Sequence, residues 1–309
     1  MSEESKFFCD LETGTCSLPE LDIEPSAALS PHQDQKISIL YFTDPICSSC
    51  WGIEPHLRRL KLEYGDFFNL EYKMGGLLPN WDVYKGKDVR SPKEVAKHWD
   101  DASNYYEMPI DGDIWLEDPL HSSFPPAIAF KAAQLQDPKK AIRFYRRIKE
   151  MVFLEKKNTT RPEHLKTAAL QTGLDPDQLI VDMQDSGKEA FENDVKLARS
   201  LSIKGFPSIL FTDADQNQYL LYGFRPYEEF EQAIQKWNPY AVKKPINTNY
   251  QYLFQQFRTL TTKEYAVLTH KNKAEAETFL NQLLELDRLV RYRSKNGYIW
   301  RLKETISTV

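Results

Sequence analysis

Tyr41-Phe42-Thr43-Asp44-Pro45-Ile46-Cys47-Ser48-Ser49-Cys50-Trp51-Gly52-Ile53-Glu54-Pro55 is the stretch on which the reading of this chain turns. It follows a β-type run, residues 36–42, in which Ile37, Ile39, Leu40, Tyr41 and Phe42 suit a buried strand. It then opens a helical pattern through Ile53, Leu57, Leu60 and Leu62. A Cys-x-x-Cys at a strand-to-helix junction sets Cys47 at a helix N-terminus. The free backbone N–H groups and the positive end of the helix dipole there favour a thiolate, the form that attacks disulfides or binds metals. Pro55, five residues beyond Cys50, is expected to kink that helix without ending it.

A second landmark comes much later, Ile203-Lys204-Gly205-Phe206-Pro207-Ser208-Ile209-Leu210-Phe211, a loop whose proline precedes a strongly apolar strand. Cis peptide bonds are essentially confined to X-Pro, and one at Phe206-Pro207 would be rare enough to imply a purpose. If the two stretches meet, Cys47, Cys50 and Pro207 form one thiol site.

The 309 residues leave room for about two domains, and 41% hydrophobic with 28% charged content is ordinary for a soluble protein. No membrane span is expected. Met1 to Lys6 is polar and acidic, and Phe7-Phe8 is too short for a signal-peptide core, which places the protein in the cytoplasm. Thiol pools there keep cysteines reduced, so the four cysteines do not read as a structural disulfide framework. From Tyr240 onward there are twelve Lys or Arg against six Asp or Glu, about +6, leaving about −11 for the rest. That asymmetry suggests two units with different surfaces.

Residues 1–35, with Pro19, Pro25 and Pro31 and no sustained periodicity, read as a flexible tail. Cys9 and Cys16 within it could supply half of a tetrahedral zinc site, although zinc pairs usually follow a C-x(2–4)-C spacing and need two further ligands. His32 is the nearest histidine. The plainer reading is free thiols or regulatory oxidation, with no cofactor required. After the Cys-x-x-Cys helix, residues 68–74 suit a second strand, ended by Gly75-Gly76. From about 92 to 201 the period is helical, as in Ile142, Tyr145, Ile148 and Val152, and prolines punctuate it. This is a helical insertion between the halves of a small sheet. Strands resume at 208–211 and 218–222, and a helix follows from about Pro226 to Trp237.

A boundary is expected near 240. Beyond it, Thr261-Thr262-Lys263-Glu264 and Asn272-Lys273-Ala274-Glu275 are capping boxes opening two helices. Asn296-Gly297, between the runs 290–293 and 298–302, signals a hairpin. Helix, helix, hairpin is the outline of a winged helix. Arg288, Arg291, Arg293, Lys295, Arg301 and Lys303 could meet phosphates, but Glu275, Glu277, Glu285 and Asp287 would repel a duplex. A protein-binding surface fits the charge better than nucleic acid.

The order strand, Cys-x-x-Cys helix, strand, helical insertion, Gly-Phe-Pro, hairpin, helix resembles the DsbA-like branch of the thioredoxin superfamily over residues 36–240. That resemblance implies an α/β thioredoxin fold in which a cis Pro207 faces the two sulfurs. More narrowly, the cytosolic setting, the Cys9/Cys16 tail, Met74-Gly75-Gly76-Leu77-Leu78-Pro79 and the basic extension 241–309 resemble the SpxH (YjbH) adapter proteins. The narrower resemblance implies an adapter that holds the transcription factor Spx and presents it to the ClpXP protease. The Ser48-Ser49 pair departs from the Pro-His of dedicated DsbA oxidants.

Two functions therefore stand side by side. As a thiol-disulfide oxidoreductase or isomerase, the protein would use Cys47 as the attacking thiolate nearer solvent, Cys50 as the deeper resolving thiol, and Pro207 to shape a groove bordered by Ile46 and Trp51. As an adapter it would bind an extended partner segment on the same groove, with Phe206, Trp51, Trp81, Tyr84, Tyr105 and Tyr106 as candidate anchors; core packing is the alternative for each.

Overall fold

The computed structural model describes residues 8–10, 15–17, 36–84 and 89–303, and of the first two segments only the backbone. The chain opens with the short strands β1 (Phe8–Asp10) and β2 (Thr15–Ser17), then β3 (Ile37–Thr43). Next come α1 (Ser48–Gly52), α2 (Glu54–Tyr64) and β4 (Phe68–Met74). Seven helices follow, α3 (Pro92–Tyr106), α4 (Ile114–Glu117), α5 (Phe124–Gln136), α6 (Pro138–Leu154), α7 (Pro162–Thr172), α8 (Pro176–Gln184) and α9 (Ser186–Ser200). The sheet is then completed by β5 (Gly205–Phe206), β6 (Ser208–Thr212) and β7 (Gln218–Tyr222), with α10 (Tyr227–Trp237) after it.

The sheet runs β4-β3-β6-β7, with β3 parallel to β4 and antiparallel to β6. Parallel neighbours need a crossover connection, which α1 and α2 supply. The apolar run is central: Ile37, Ile39, Tyr41 and Phe42 are all buried. This is a thioredoxin-like α/β core with a substantial helical insertion, α3 to α9. The prolines expected to punctuate that insertion start its helices: α3, α5, α6, α7 and α8 each carry Pro in their first two positions. Proline suits that place because its missing N–H has no partner in the first turn. The insertion has its own core, including Phe130, Phe144, Ile148 and Leu165.

Pro55 leaves Ile53 as the junction between α1 and α2. The expected kink is thus a one-residue break, since proline offers no N–H to the preceding turn. Two strands also form within the segment read as a tail. β1 pairs with β2, which pairs with β5. Three-residue strands are too short to display alternation, and the pairing partner of β2 lies far along the chain.

Beyond α10 come α11 (Tyr250–Gln256), β8 (Leu260–Thr261), α12 (Thr262–Leu268), α13 (Lys273–Glu285), β9 (Leu289–Ser294) and β10 (Gly297–Leu302). Both capping boxes form, on Thr261/Glu264 and Asn272/Glu275. The hairpin forms with Ser294 opposite Gly297. Leu253, Tyr265, Leu268, Leu280 and Trp300 fill a separate core. Glu264 has a second task beyond its cap. With no exposed side-chain surface, it accepts hydrogen bonds from Arg146 Nη1 and Nη2, each at 2.9 Å, and lies 3.1 Å from Arg58 Nε. Those arginines belong to α6 and α2, so one carboxylate joins three parts of the molecule.

Removing one partner from a buried ionic cluster leaves charge without compensation. Glu264→Ala is expected to lower the unfolding free energy by about 3–5 kcal/mol, read from urea titration. A loss within about 1 kcal/mol, the range of exposed ion pairs, would contradict the structural role assigned to this carboxylate.

Candidate functional site

The two landmark stretches meet. Cys47 is the N-cap of α1, its Sγ accepting the Cys50 backbone N–H at 3.2 Å. From the other side the Gly205–Pro207 loop closes in, with Cys47 Sγ donating to the Phe206 carbonyl at 3.7 Å. The Phe206-Pro207 bond is cis. Gly75 makes the approach possible, because a Cβ there would fall 1.8 Å from the Phe206 ring.

Neither sulfur is nearer solvent, since Cys47 and Cys50 both have 0% exposure. Burial pushes the Cys47 thiol well up, and the adjoining Cys50 adds to this. Burial also raises Cys50, but the hydrogen bond from Cys47 and the Lys149 ammonium outweigh it and leave Cys50 below an ordinary thiol. The surroundings thus push the two thiols in opposite directions.

Three charged groups behind the sulfurs escaped the reading of the motif. Lys149 Nζ donates to the Cys50 carbonyl at 3.2 Å and to Glu54 Oε1 at 2.6 Å, with none of its side chain exposed. The Glu54 carboxyl is held below its usual range; burial pushes it up, and Lys149, Arg146 and Arg58 more than reverse this. The signal for Lys149 was present, because it falls four residues after Tyr145 on the apolar stripe of α6. Asp44 lies inside the opening stretch. It accepts the Ile46 and Leu77 backbone N–H groups and the Ser123 hydroxyl, at 3.1, 2.8 and 2.8 Å. Burial nonetheless raises its carboxyl to about 6.

The aromatic candidates separate. Phe206, Trp51 and Tyr106 are buried, and Trp51 donates to the Pro109 carbonyl at 3.0 Å while stacking on Phe153. They serve the core. Trp81 and Tyr84 are half-buried, whereas Tyr105 is 50% exposed and stands edge-on to Tyr106 and Phe224. An apolar pocket beside α1 is lined by Ile46, Ser48, Leu78, Trp81, His98 and Trp115. The Trp115 indole N–H at its wall has no hydrogen-bond partner.

Among the described residues, no group of three or more His, Cys, Asp or Glu is placed to hold a metal. His32 lies outside the described residues, as do the side chains of Cys9 and Cys16. No helix among the described residues is long and apolar enough to cross a membrane.

Asp44 gives a pH signature. Its folded carboxyl holds a proton at pH values where the unfolded chain, near pH 4, has released it, so stability falls as pH rises between these limits. The unfolding free energy of the parent minus that of Asp44→Asn is expected to drop by roughly 3 kcal/mol from pH 4 to pH 7. A difference independent of pH would exclude the raised carboxyl.

Comparison with known proteins places this site in context. The Thioredoxin family matches over residues 40–232. The ClpXP adapter protein SpxH of Halalkalibacterium halodurans is 30% identical over 97% of this chain and 99% of its own length. The ClpXP adapter protein SpxH of Shouchella clausii is 30% identical over 95% and 96%. Among solved structures, a putative protein disulfide isomerase from Nitrosomonas europaea superposes with a TM-score of 0.57 at 22% identity, covering 66% of this chain and 98% of that one. The superposition supports the fold alone; the near-full-length relatives carry the family, and this chain belongs to the SpxH family of ClpXP adapter proteins, built on a thioredoxin-like scaffold.

Proposed function

We propose that this protein is a cytoplasmic adapter that binds the transcription factor Spx and promotes its degradation by the ClpXP protease. The observation that carries the reading is the extent of the likeness to the Halalkalibacterium halodurans adapter. It spans 97% of this chain, and so runs far beyond the thioredoxin core. On this reading the chain comprises a tail, 1–35, a DsbA-like domain, 36–240, and a winged-helix-like unit, 241–309. The order α12, α13, β9, β10, with β8 as a third strand on β10, supports the last assignment.

The geometry supports partner binding over turnover. A disulfide-exchange enzyme presents its attacking sulfur to clients, whereas Cys47 is sealed under the Phe206 carbonyl and its thiol is pushed up. Cys47, Cys50 and Pro207 then form a redox-type site that adapter work does not require. Zinc has no part in this reading, since Cys9 and Cys16 supply only two of four tetrahedral ligands. An adapter makes no bonds of its own. It acts by binding its substrate more tightly in the state the protease engages, which shifts the population toward that state.

With purified ClpXP, ATP and Spx, adding this protein is expected to shorten the Spx half-life by about five-fold or more. An unchanged half-life would overturn the proposal. A Cys47→Ser/Cys50→Ser variant is expected to retain the stimulation. Loss of stimulation by a folded variant would favour the second reading, thiol-disulfide exchange, which the assembled Cys47, Cys50 and cis Pro207 support.

A further inference from the structure

The pocket beside α1 serves neither the thiols nor the adapter reading, yet it has the build of a binding cavity. Its walls come from Ile46 and the start of α1, from the loop after β4, and from α3 and α4. The rings stand at right angles. Trp115 is edge-on to Trp99 at 5.2 Å and to Trp81 at 5.9 Å between centroids, and Trp81 is edge-on to Tyr84 at 5.8 Å. Perpendicular aromatic walls suit a ring-shaped guest, since aromatic pairs favour edge-to-face and offset contacts. Trp81, Tyr84 and His98 are half-buried, so the cavity reaches the surface. Positions open to the centre of a water span about 40 Å³, where a single water needs about 10–15 Å³.

Among the described residues, no Asp, Glu, Lys or Arg lines the cavity. Burial disfavours the imidazolium form of His98, so its ring is neutral near pH 7. A charged guest would give up its hydration and meet no opposite charge. The polar atoms of the wall are instead a neutral pair. Ser48 Oγ lies 3.4 Å from His98 Nε2, and Ser48 is 3% exposed. A contact of that length is at the weak end of hydrogen bonding, so both atoms have capacity left for a guest. The Trp115 indole N–H, buried in the same wall, has no partner, and an orphaned buried donor calls for one.

We propose that this cavity is a binding site for a small neutral aromatic alcohol of the phenol class. The ring lies among Trp81, Trp99 and Trp115, and the hydroxyl bridges Ser48 Oγ and His98 Nε2. If Nε2 carries the hydrogen, the guest accepts from it and donates to Ser48; if Nε2 is bare, the guest donates to it and accepts from Ser48. Either imidazole tautomer therefore serves. The pair also sets the selectivity. An apolar cavity without such partners takes toluene before phenol, because burying an unpaired hydroxyl is costly, whereas a paired hydroxyl escapes that penalty. Neither Cys47 nor Cys50 lines the cavity, so binding does not depend on the thiols.

The test uses the full-length protein with phenol and toluene as probes and neither Spx nor ClpXP, so its outcome is independent of the adapter proposal. Dissociation constants are read by isothermal titration calorimetry, and far-UV circular dichroism checks the fold of each variant. The parent is expected to bind phenol about three-fold or more tighter than toluene. Ser48→Ala and His98→Leu, which remove the two hydroxyl partners in turn, are each expected to reverse that order. Val95 is buried and lines the cavity, so Val95→Phe puts a ring where the guest would sit and is expected to weaken both probes at least about ten-fold. Should that variant fail to fold, Ser48→Ala and His98→Leu decide. A parent that binds neither probe, or that does not favour phenol, would overturn the proposal. So would an unchanged phenol preference in either polar variant, or undiminished binding by a folded Val95→Phe.

Discussion

A carboxylate with no route to water fixes the arrangement of this molecule. Glu264 is compensated only because Arg146 reaches it from α6 and Arg58 from α2. Around it Glu54, Glu150 and Glu264 face Arg58, Arg146 and Lys149; five of the six are buried and the Arg146 side chain is 12% exposed. Burying charges is expensive, and their mutual attraction does not by itself make such a cluster stabilising. Its effect is on specificity, since any arrangement that separates the C-terminal unit from α2 and α6 strands charge in a medium that cannot solvate it. The same cluster ends at the thiol site, where Lys149 grips the Cys50 carbonyl.

Much of this was legible in the sequence wherever the physics is local. A Cys-x-x-Cys between an apolar run and a helical pattern gave the N-cap sulfur, and the capping boxes gave the starts of α12 and α13. The cis bond at Phe206-Pro207 was expected from the resemblance to the thioredoxin fold, and the prolines that punctuate the insertion stand at helix starts. The partners of Glu264 were not legible. Arg146 lies 118 residues away, and a charged residue on an amphipathic helix normally reads as its wet face. Lys149 was masked in the same way, although its place on an apolar stripe was available as a clue. The solvent exposure of Cys47 was misjudged because motif logic ranks the two sulfurs along the helix, whereas the loop from residues 205–207 covers the first one.

Helix N-terminus, paired sulfurs and cis proline are all assembled at the thiol site, yet both sulfurs are buried and Cys47 is deprived of the solvation an anion needs. On one flank lie the pocket walled by Trp81, His98 and Trp115 and the exposed Tyr105; against another, through Glu264, sits the C-terminal unit.

The C-terminal hairpin is clipped to the insertion at a second point. The turn residue Lys295 donates to Asp100 and Asp113 at 2.6 and 2.7 Å, and Asn296 donates to the Ile110 carbonyl at 2.8 Å. Lys295 and both aspartates are about one-third exposed, so dissolved electrolyte screens them, while the ions around Glu264 are out of its reach. The joint between the units thus has one end sensitive to ionic strength and one end indifferent to it. Raising the salt concentration weakens the ionic contacts of the hairpin first and leaves those of Glu264 in place.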